Sequence, residues 1–352
     1  MSTEPLPDHD DARVVSGPPA EASGDDLLVI DDLRVTVHDG ARTAVRGASV
    51  RVGRAEIVGL VGESGSGKTL TCRAALGLLP AGCEVSSGAV SFAGRPLVDL
   101  SRRDWEAVHG QRIGAVFQDP ASYLNPSITV GRQLSEVLRI KLGLSRRAAR
   151  ARAIDLFTEV GLHAPERVWS QLPVELSGGM LQRVLIAIAL SCNPELLIAD
   201  EATTALDVTI QAEIIDLLRR ERDERGLSVL FVSHDLAVIS ELCDRVVVFY
   251  AGEVVESGPA EEILSRPRHP YTQALLRVAS VGDYKRRKLE TILGQPPEVG
   301  AEITGCRFAS RCPFAHDDCR RDAIAPRSIA AGHEVRCRRV DDAELVGQLV
   351  HA

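Results

Sequence analysis

Residues 55–70, AEIVGLVGESGSGKTL, set a β-branched run, a glycine-rich loop and a helix start end to end. Gly62 through Thr69 fit the pattern G-x-x-x-x-G-K-[ST] without a mismatch. Glycines at these positions let successive backbone N–H groups turn inward around phosphate oxygens, at the positive end of the helix that follows. The expected phosphate cradle is Gly62, Ser64, Gly65, Ser66, Gly67 and Leu70. Lys68 is expected to reach the β- and γ-phosphates, and the Thr69 hydroxyl to coordinate Mg²⁺. A chance glycine-rich turn is the plain alternative, and it does not account for the strand before the loop and the helical LTCRAALGLL after it. The expectation is an α/β fold of the P-loop nucleoside-triphosphatase kind.

A second run, PELLIADEAT at 194–203, supplies what a phosphate loop lacks. Leu196 to Ala199 read as a strand buried on both faces of a parallel sheet. At its carboxyl end Asp200 is placed to hold Mg²⁺ through water, and Glu201 to polarise an attacking water as general base. Two adjacent acids at a strand end also suit a helix cap, but the upstream loop favours the catalytic reading.

These motifs leave many nucleoside triphosphatases open, and ELSGGMLQRVLIAIAL at 175–190 narrows them. Here the chain resembles the ATP-binding-cassette (ABC) ATPases, whose Leu-Ser-Gly-Gly opens a helix. The resemblance implies that Ser177, Gly178 and Gly179 contact the γ-phosphate held by an opposite subunit, another helix N-terminus offered to an anion. It also implies roles for three elements that follow the family's order. In VFQDP, Gln118 senses Mg²⁺ and the attacking water; in TTALDVT, Asp207 lies in the Ala205-Leu206-Asp207 loop that crosses the dimer interface. In LFVSHDL, His234 is the switch histidine at the γ-phosphate, able to donate to an oxygen or orient Glu201 near neutral pH. The implied cofactors are ATP and Mg²⁺. Three positions depart from the family pattern: Val37 and His38 stand where an aromatic often stacks on adenine, Leu181 where many relatives carry arginine, and Leu70 where a hydroxyl is common.

The bulk properties fit that reading. The chain has 352 residues, 45% hydrophobic and 26% charged, as in globular proteins. Its net charge of -8 argues against a dedicated nucleic-acid binder. No stretch reaches the roughly 18 consecutive apolar residues that a membrane helix needs. The opening MSTEPLPDHDDARVVSGPPAEASGDD lacks a signal-peptide pattern and reads as a disordered tail over 1–26. A reducing cytoplasmic location follows as the expectation, so Cys72, Cys83, Cys192 and Cys243 read as small hydrophobes. Residues 27–266 are expected to form the nucleotide-binding domain. It begins with the β-rich LLVIDDLRVTV and VRGASVRV and contains a helical subdomain over about 120–180. Within that subdomain, RRAARARAIDLFTEVGL (146–162) places Ala149, Ala153, Leu156, Phe157 and Val160 on one face. RVVVFYAGEVVESG reads as one strand, with PAEEILS as the helix after it.

The remainder, an extension over 267–340 and a tail over 341–352, narrows the resemblance further. RPRHPYTQALL (266–276), QDPASYLNPSITVG and GMLQRVLIAIAL resemble the ATPases of oligopeptide, dipeptide and nickel importers, more the first of their two ATPase subunits than the second. That implies an importer ATPase for di- or oligopeptides, with nickel as the alternative. The implied partners are a second ATPase chain in a heterodimer, two membrane permeases and an extracytoplasmic binding protein, with no nucleic acid. The implied location is the cytoplasmic face of the membrane. A soluble ABC ATPase acting on ribosomes or DNA is the reading from another class. His269 and Tyr271 read as partly buried residues at a proline-bounded helix start. GCRFASRCPFAHDDCRR (305–321) and EVRCRR gather Cys306, Cys312, Cys319 and Cys337 among arginines, Arg311 included. Neither short spacing matches a tight zinc knuckle, whereas Fe–S sites accept varied spacing. The expectation is a [4Fe–4S] cluster pinning a small domain, with structural Zn²⁺ or unrelated thiols as alternatives.

Overall fold

The computed structural model describes residues 26–38, 40–98, 100–202, 208–279 and 292–342. The segment expected to be disordered (apart from Asp26), the Ala205-Leu206-Asp207 loop and residues 343–352 of the tail lie outside the described residues.

The chain opens with β1 (Asp26–Val37) and β2 (Arg42–Gly53), paired antiparallel. Strand β3 (Ile57–Val61) leads through the glycine-rich loop into α1 (Lys68–Ala75). Strand β4 (Cys83–Phe92) returns to pair with β1, and the short β5 (Arg95–Pro96) pairs with β4. Helix α2 (Arg102–Val108) and β6 (Ile113–Val116) precede a helical region of α3 (Val130–Leu142), α4 (Arg146–Glu159), α5 (Pro165–Trp169) and α6 (Gly178–Leu190). Then come β7 (Leu196–Asp200), α7 (Val208–Arg225), β8 (Ser228–Val232) and α8 (Leu236–Leu242). Strands β9 (Arg245–Tyr250) and β10 (Glu253–Pro259), helices α9 (Ala260–Ser265) and α10 (Pro270–Ala279), and strands β11 (Arg327–Ala330) and β12 (His333–Val335) finish the fold.

Among the described residues two sheets result, one ordered β2-β1-β4-β5 and one ordered β11-β12-β10-β9-β3-β8-β7-β6. The β9-β3-β8-β7-β6 stretch is parallel, and every residue of β3, β7 and β8 is buried, as their continuous apolar runs demand. One apolar core joins the antiparallel sheet to the central sheet through Leu28, Val35, Val50, Val58 and Leu230. A larger core joins Val61, Leu197 and Phe231 to the helices. The expected face of α4 is buried, with Ala149, Ala153, Leu156 and Phe157 packed there and Val160 just past its end. Ser145 caps this helix by accepting from the Ala148 N–H at 3.3 Å.

One expectation is corrected. RVVVFYAGEVVESG is a hairpin, because Ala251 and Gly252, at φ 47° and 89°, both take the left-handed geometry of a tight turn between β9 and β10. The C-terminal segment is continuous with the main fold: β12 pairs with β10 through Glu256↔Val335 and Ser257↔Glu334. Strand β10 would otherwise be an edge with unpaired backbone groups, and β12 covers it.

That junction contains a buried carboxylate. Glu256 is 1% exposed and accepts from the backbone N–H of Arg268 (2.7 Å) and His269 (3.0 Å), and from His333 Nε2 (3.0 Å). Removing it strands several buried donors at once. Glu256→Ala is expected to lower stability by about 3 kcal/mol, read as an earlier denaturant midpoint at unchanged slope.

Candidate nucleotide site

The carboxyl ends of β3, β6, β7 and β8 converge, and ligands of open parallel sheets bind outside such ends. Each strand delivers one part of the expected site: the phosphate loop after β3, Gln118 after β6, Asp200-Glu201 at the end of β7, and His234 after β8.

The loop is held from behind. Gly62 has φ +145°, and a Cβ there would stand 2.1 Å from the Phe249 carbonyl oxygen. Gly65 and Gly67 also have positive φ, at 75° and 107°. The Gly252 N–H donates to the Ser66 carbonyl at 2.9 Å, tying the loop to the β9–β10 turn. The Lys68 ammonium donates to the carbonyls of Gly62 (2.8 Å) and Glu63 (3.0 Å) and reaches Ser66 Oγ at 3.4 Å. Burial lowers its pKa, opposed by the negative fields of Glu201 and Asp200. Leu70 packs its side chain against the core under the antiparallel sheet, so only its backbone is available to a phosphate.

Thr69 Oγ1 donates to Asp200 Oδ1 at 3.2 Å, which brings together the two groups expected to hold Mg²⁺. Gln118 Nε2 donates to Glu201 Oε2 at 2.8 Å, and His234 Nδ1 stands 3.8 Å from the same oxygen, beyond hydrogen-bond reach. Gln118, Glu201 and His234 thus meet at one carboxylate. Ser177 caps α6, its Oγ accepting from the Met180 N–H at 3.3 Å, and Ser177 and Gly178 are exposed. Leu181 is buried on α6, where it serves the core, and His38 is exposed in the turn after β1.

The residue pattern gave no sign of two further contacts, both from the C-terminal extension. Tyr271 and His269 are fully buried, not partly, and Tyr271 Oη accepts from the Glu63 N–H at 2.9 Å. Arg311 grips the Glu63 carboxylate with two nitrogens, at 2.7 and 3.0 Å. Tyr250, Tyr271 and Phe308 form an aromatic cluster between loop and extension, with centroids 4.5 to 5.4 Å apart.

All eight cysteines are free thiols. Cys306, Cys312, Cys319 and Cys337 line a single small cavity of about 20 Å³ together with His269, Phe308, Arg338 and Arg339. Burial pushes the Cys306 thiol up to about 11 and the Cys337 thiol up to about 12, with the neighbouring sulfurs adding to both. Among the described residues no three His, Cys, Asp or Glu side chains are grouped so as to hold a metal ion. Neither the expected [4Fe–4S] cluster nor the zinc alternative therefore finds a ready-made ligand set among them.

The ABC transporter family model matches residues 45–204, and that of the oligopeptide/dipeptide transporter C-terminal region matches 255–319. The chain is 42% identical to an oligopeptide transport ATP-binding protein of Bacillus subtilis, over 84% of this chain and 90% of that protein. It is 41% identical to a dipeptide transport ATP-binding protein of Escherichia coli, over 90% of this chain and 98% of that one. Its fold matches a dimeric bacterial ABC transporter cassette with a TM-score of 0.61 at 28% identity, over 66% of this chain and 99% of the cassette. A post-hydrolysis form of the cassette bound to ADP and Pi matches equally, at TM-score 0.61.

Burial raises the Asp200 carboxyl above its ordinary range, with the Thr69 hydrogen bond opposing and the Glu201 charge adding. A carboxyl with a raised folded pKa binds its proton more tightly when folded, so stability falls as pH rises from the unfolded value through the folded one. At neutral pH the ionised Asp200 therefore costs stability until a cation meets it. Asp200→Asn is expected to raise the melting temperature of the metal-free protein at pH 7, with the gain disappearing below the ordinary carboxylate range. Melting curves across pH with and without Mg²⁺ check this.

Proposed function

Because the chain belongs to the ABC transporter family, we propose that it is the ATP-hydrolysing subunit of an importer for di- or oligopeptides. The observation that carries the reading is the meeting of Gln118, Asp200, Glu201 and His234 with the phosphate loop at the ends of four parallel strands. Peptide cargo rests on the match to the oligopeptide/dipeptide C-terminal region and on the names of the relatives, which weigh against nickel transport and against a soluble ABC ATPase.

In the proposed cycle two ATPase chains, of two different kinds, sandwich two nucleotides. The Gly62, Ser64, Gly65, Ser66 and Gly67 backbone cradles the phosphates, and Lys68 leaves its loop carbonyls for phosphate oxygens. The start of α6, Ser177 to Gly179, serves the nucleotide on the partner chain, and Asp207 belongs to the same interface. Thr69, Asp200 and Gln118 would hold Mg²⁺, which when bound would supply positive charge against the phosphoryl oxygens. Glu201, steadied by Gln118, takes the proton of the attacking water, and His234 contacts the γ-phosphate side of the site.

Power passes to two permeases through the helical region. An apolar groove of about 530 Å³ runs from Phe117 and Tyr123 to Val137, Ile140 and Leu185, next to Gln118, and suits a short apolar segment of a permease. The groove supports placement at the cytoplasmic face of the membrane, under permeases fed by an extracytoplasmic binding protein. Among the described residues no helix is long and apolar enough to cross a membrane.

The four cysteines are proposed to hold a [4Fe–4S] cluster. Four thiols lining one cavity support that reading. His269 also lines the cavity, and Arg338 and Arg339 offset negative charge. When bound, the cluster would cross-link the segment.

Glu201→Gln is expected to bind MgATP and to cut steady-state hydrolysis by at least about 100-fold; undiminished turnover would sink the assignment. Anaerobic purification is expected to yield about four irons and four sulfides per chain with a broad visible absorption band, all lost in Cys319→Ser. Stoichiometric zinc, or colourless metal-free protein, would refute the cluster.

A further inference from the structure

Arg311 precedes Cys312 and its side chain is 3% exposed, yet it is absent from the lining of the sulfur cavity, unlike Arg338 and Arg339. Its guanidinium turns the other way, into the phosphate loop. Nη1 donates to Glu63 Oε2 (2.7 Å) and Tyr250 Oη (3.3 Å), Nη2 to Glu63 Oε1 (3.0 Å) and the Ile292 carbonyl (3.1 Å), and Nε to the Leu293 carbonyl (3.0 Å). Every nitrogen of the fork is engaged.

Glu63 is the loop residue directly after Gly62, and each of its polar groups is held. Its N–H donates to Tyr271 Oη (2.9 Å), and its carboxylate is clamped by Arg311. Its carbonyl accepts from Lys68 Nζ (3.0 Å) and the Ser66 N–H (3.2 Å). Of these four partners two come from the extension, one is the Ser66 N–H of the loop itself, and one is the lysine that the nucleotide needs.

We propose that Arg311 is a positioning residue for the ATP site, fixing the phosphate loop through Glu63 so that the state of the four-cysteine segment reaches the nucleotide. The coupling is reciprocal. A buried guanidinium is tolerated only while its carboxylate partner is in place, and the carboxylate keeps its orientation only while the guanidinium does. A rearrangement around Cys312 that withdraws Arg311 therefore releases Glu63, and with it the carbonyl that sets Lys68.

This rests on the ATP reading of the loop, so the test separates the two. MgADP binding to the full chain is measured by calorimetry, alongside KM and kcat for ATP. Arg311→Met is expected to weaken MgADP binding and raise KM about fivefold, with kcat within about twofold of the parent, since contacting residues couple at this scale. Arg311→Lys should recover part of the loss, and Glu63→Gln should add nothing in the Arg311→Met background. Cys312→Ser should weaken MgADP binding in the parent and not in that background. The Arg311→Met change leaves Glu63 partly exposed to water, so the variant is expected to fold, with melting curves as the check. Unchanged MgADP affinity in Arg311→Met, or effects of R311M and E63Q that simply multiply, would overturn the proposal. Lys68→Ala should abolish MgADP binding. If it does while Arg311→Met binds normally, only the Arg311 proposal falls; if Lys68→Ala binds normally, the ATP reading falls and takes this proposal with it.

Discussion

The backbone of Gly62 lies so near the Phe249 carbonyl that no side chain fits between them. Much else is arranged around that approach. It brings the end of β3 against the end of β9, so the turn beginning the phosphate loop leans on a strand that is itself almost wholly buried. Phe249 faces the core beneath the antiparallel sheet, while Tyr250, next along, faces the opposite core and the aromatic cluster of the extension. Strand β9 therefore carries both the backing of the phosphate loop and the platform on which Tyr271 and Phe308 pack. One residue with a Cβ at position 62 would separate them.

The chemistry of the site follows from strand direction. Parallel neighbours end on the same side, so groups distant in sequence meet without long loops. The backbone bends sharply where this matters: Glu201 adopts φ 52°, rare for a residue with a long side chain, and its N–H donates to the Val232 carbonyl at 3.1 Å. Such a conformation costs about 1–3 kcal/mol and persists where the surroundings impose it. Here it directs the carboxylate toward Gln118. The exposed start of α6 shows the opposite economy, since a Cβ at Gly178 would meet nothing within 4 Å. The space beside it is open, in keeping with the proposed contact with a nucleotide on a partner chain.

What the sequence made legible is what neighbours in sequence determine. The phosphate loop, the acids at the end of β7, the start of α6 and the apolar face of α4 all depend on spacings within one turn or one strand. The β9–β10 hairpin was hidden because apolar residues continue on both sides of Ala251-Gly252 with no strong turn pair between them. The contacts of Tyr271 and Arg311 with Glu63 span 208 and 248 residues, and a tyrosine after proline or an arginine between cysteines carries no local mark of its partner. In sequence Arg311 belongs with the other arginines around the cysteines, which suit a counter-charge for sulfur. Its neighbours in sequence supported that, and its neighbours in space are a carboxylate, a phenol and two carbonyls. The density of cysteines pointed to a shared site, while their common cavity is a property of tertiary packing alone.

The identity of residue 311 matters for the same geometric reason. A lysine has three donors on one atom and cannot meet two carboxylate oxygens, a phenol and two carbonyls spread around a plane, whereas a guanidinium can. Desolvating that cation is costly, and the fold recovers the cost only by supplying all five acceptors together. Three come from the ATPase core, through Glu63 and Tyr250, and two from the chain that leads into the cysteine segment, through Ile292 and Leu293. With β12 hydrogen-bonded to β10 on the other side, the extension is fastened to the core at its sheet edge and at its phosphate loop. The segment cannot be added to or removed from such a fold without consequences for the loop, because each closes the other's hydrogen bonds.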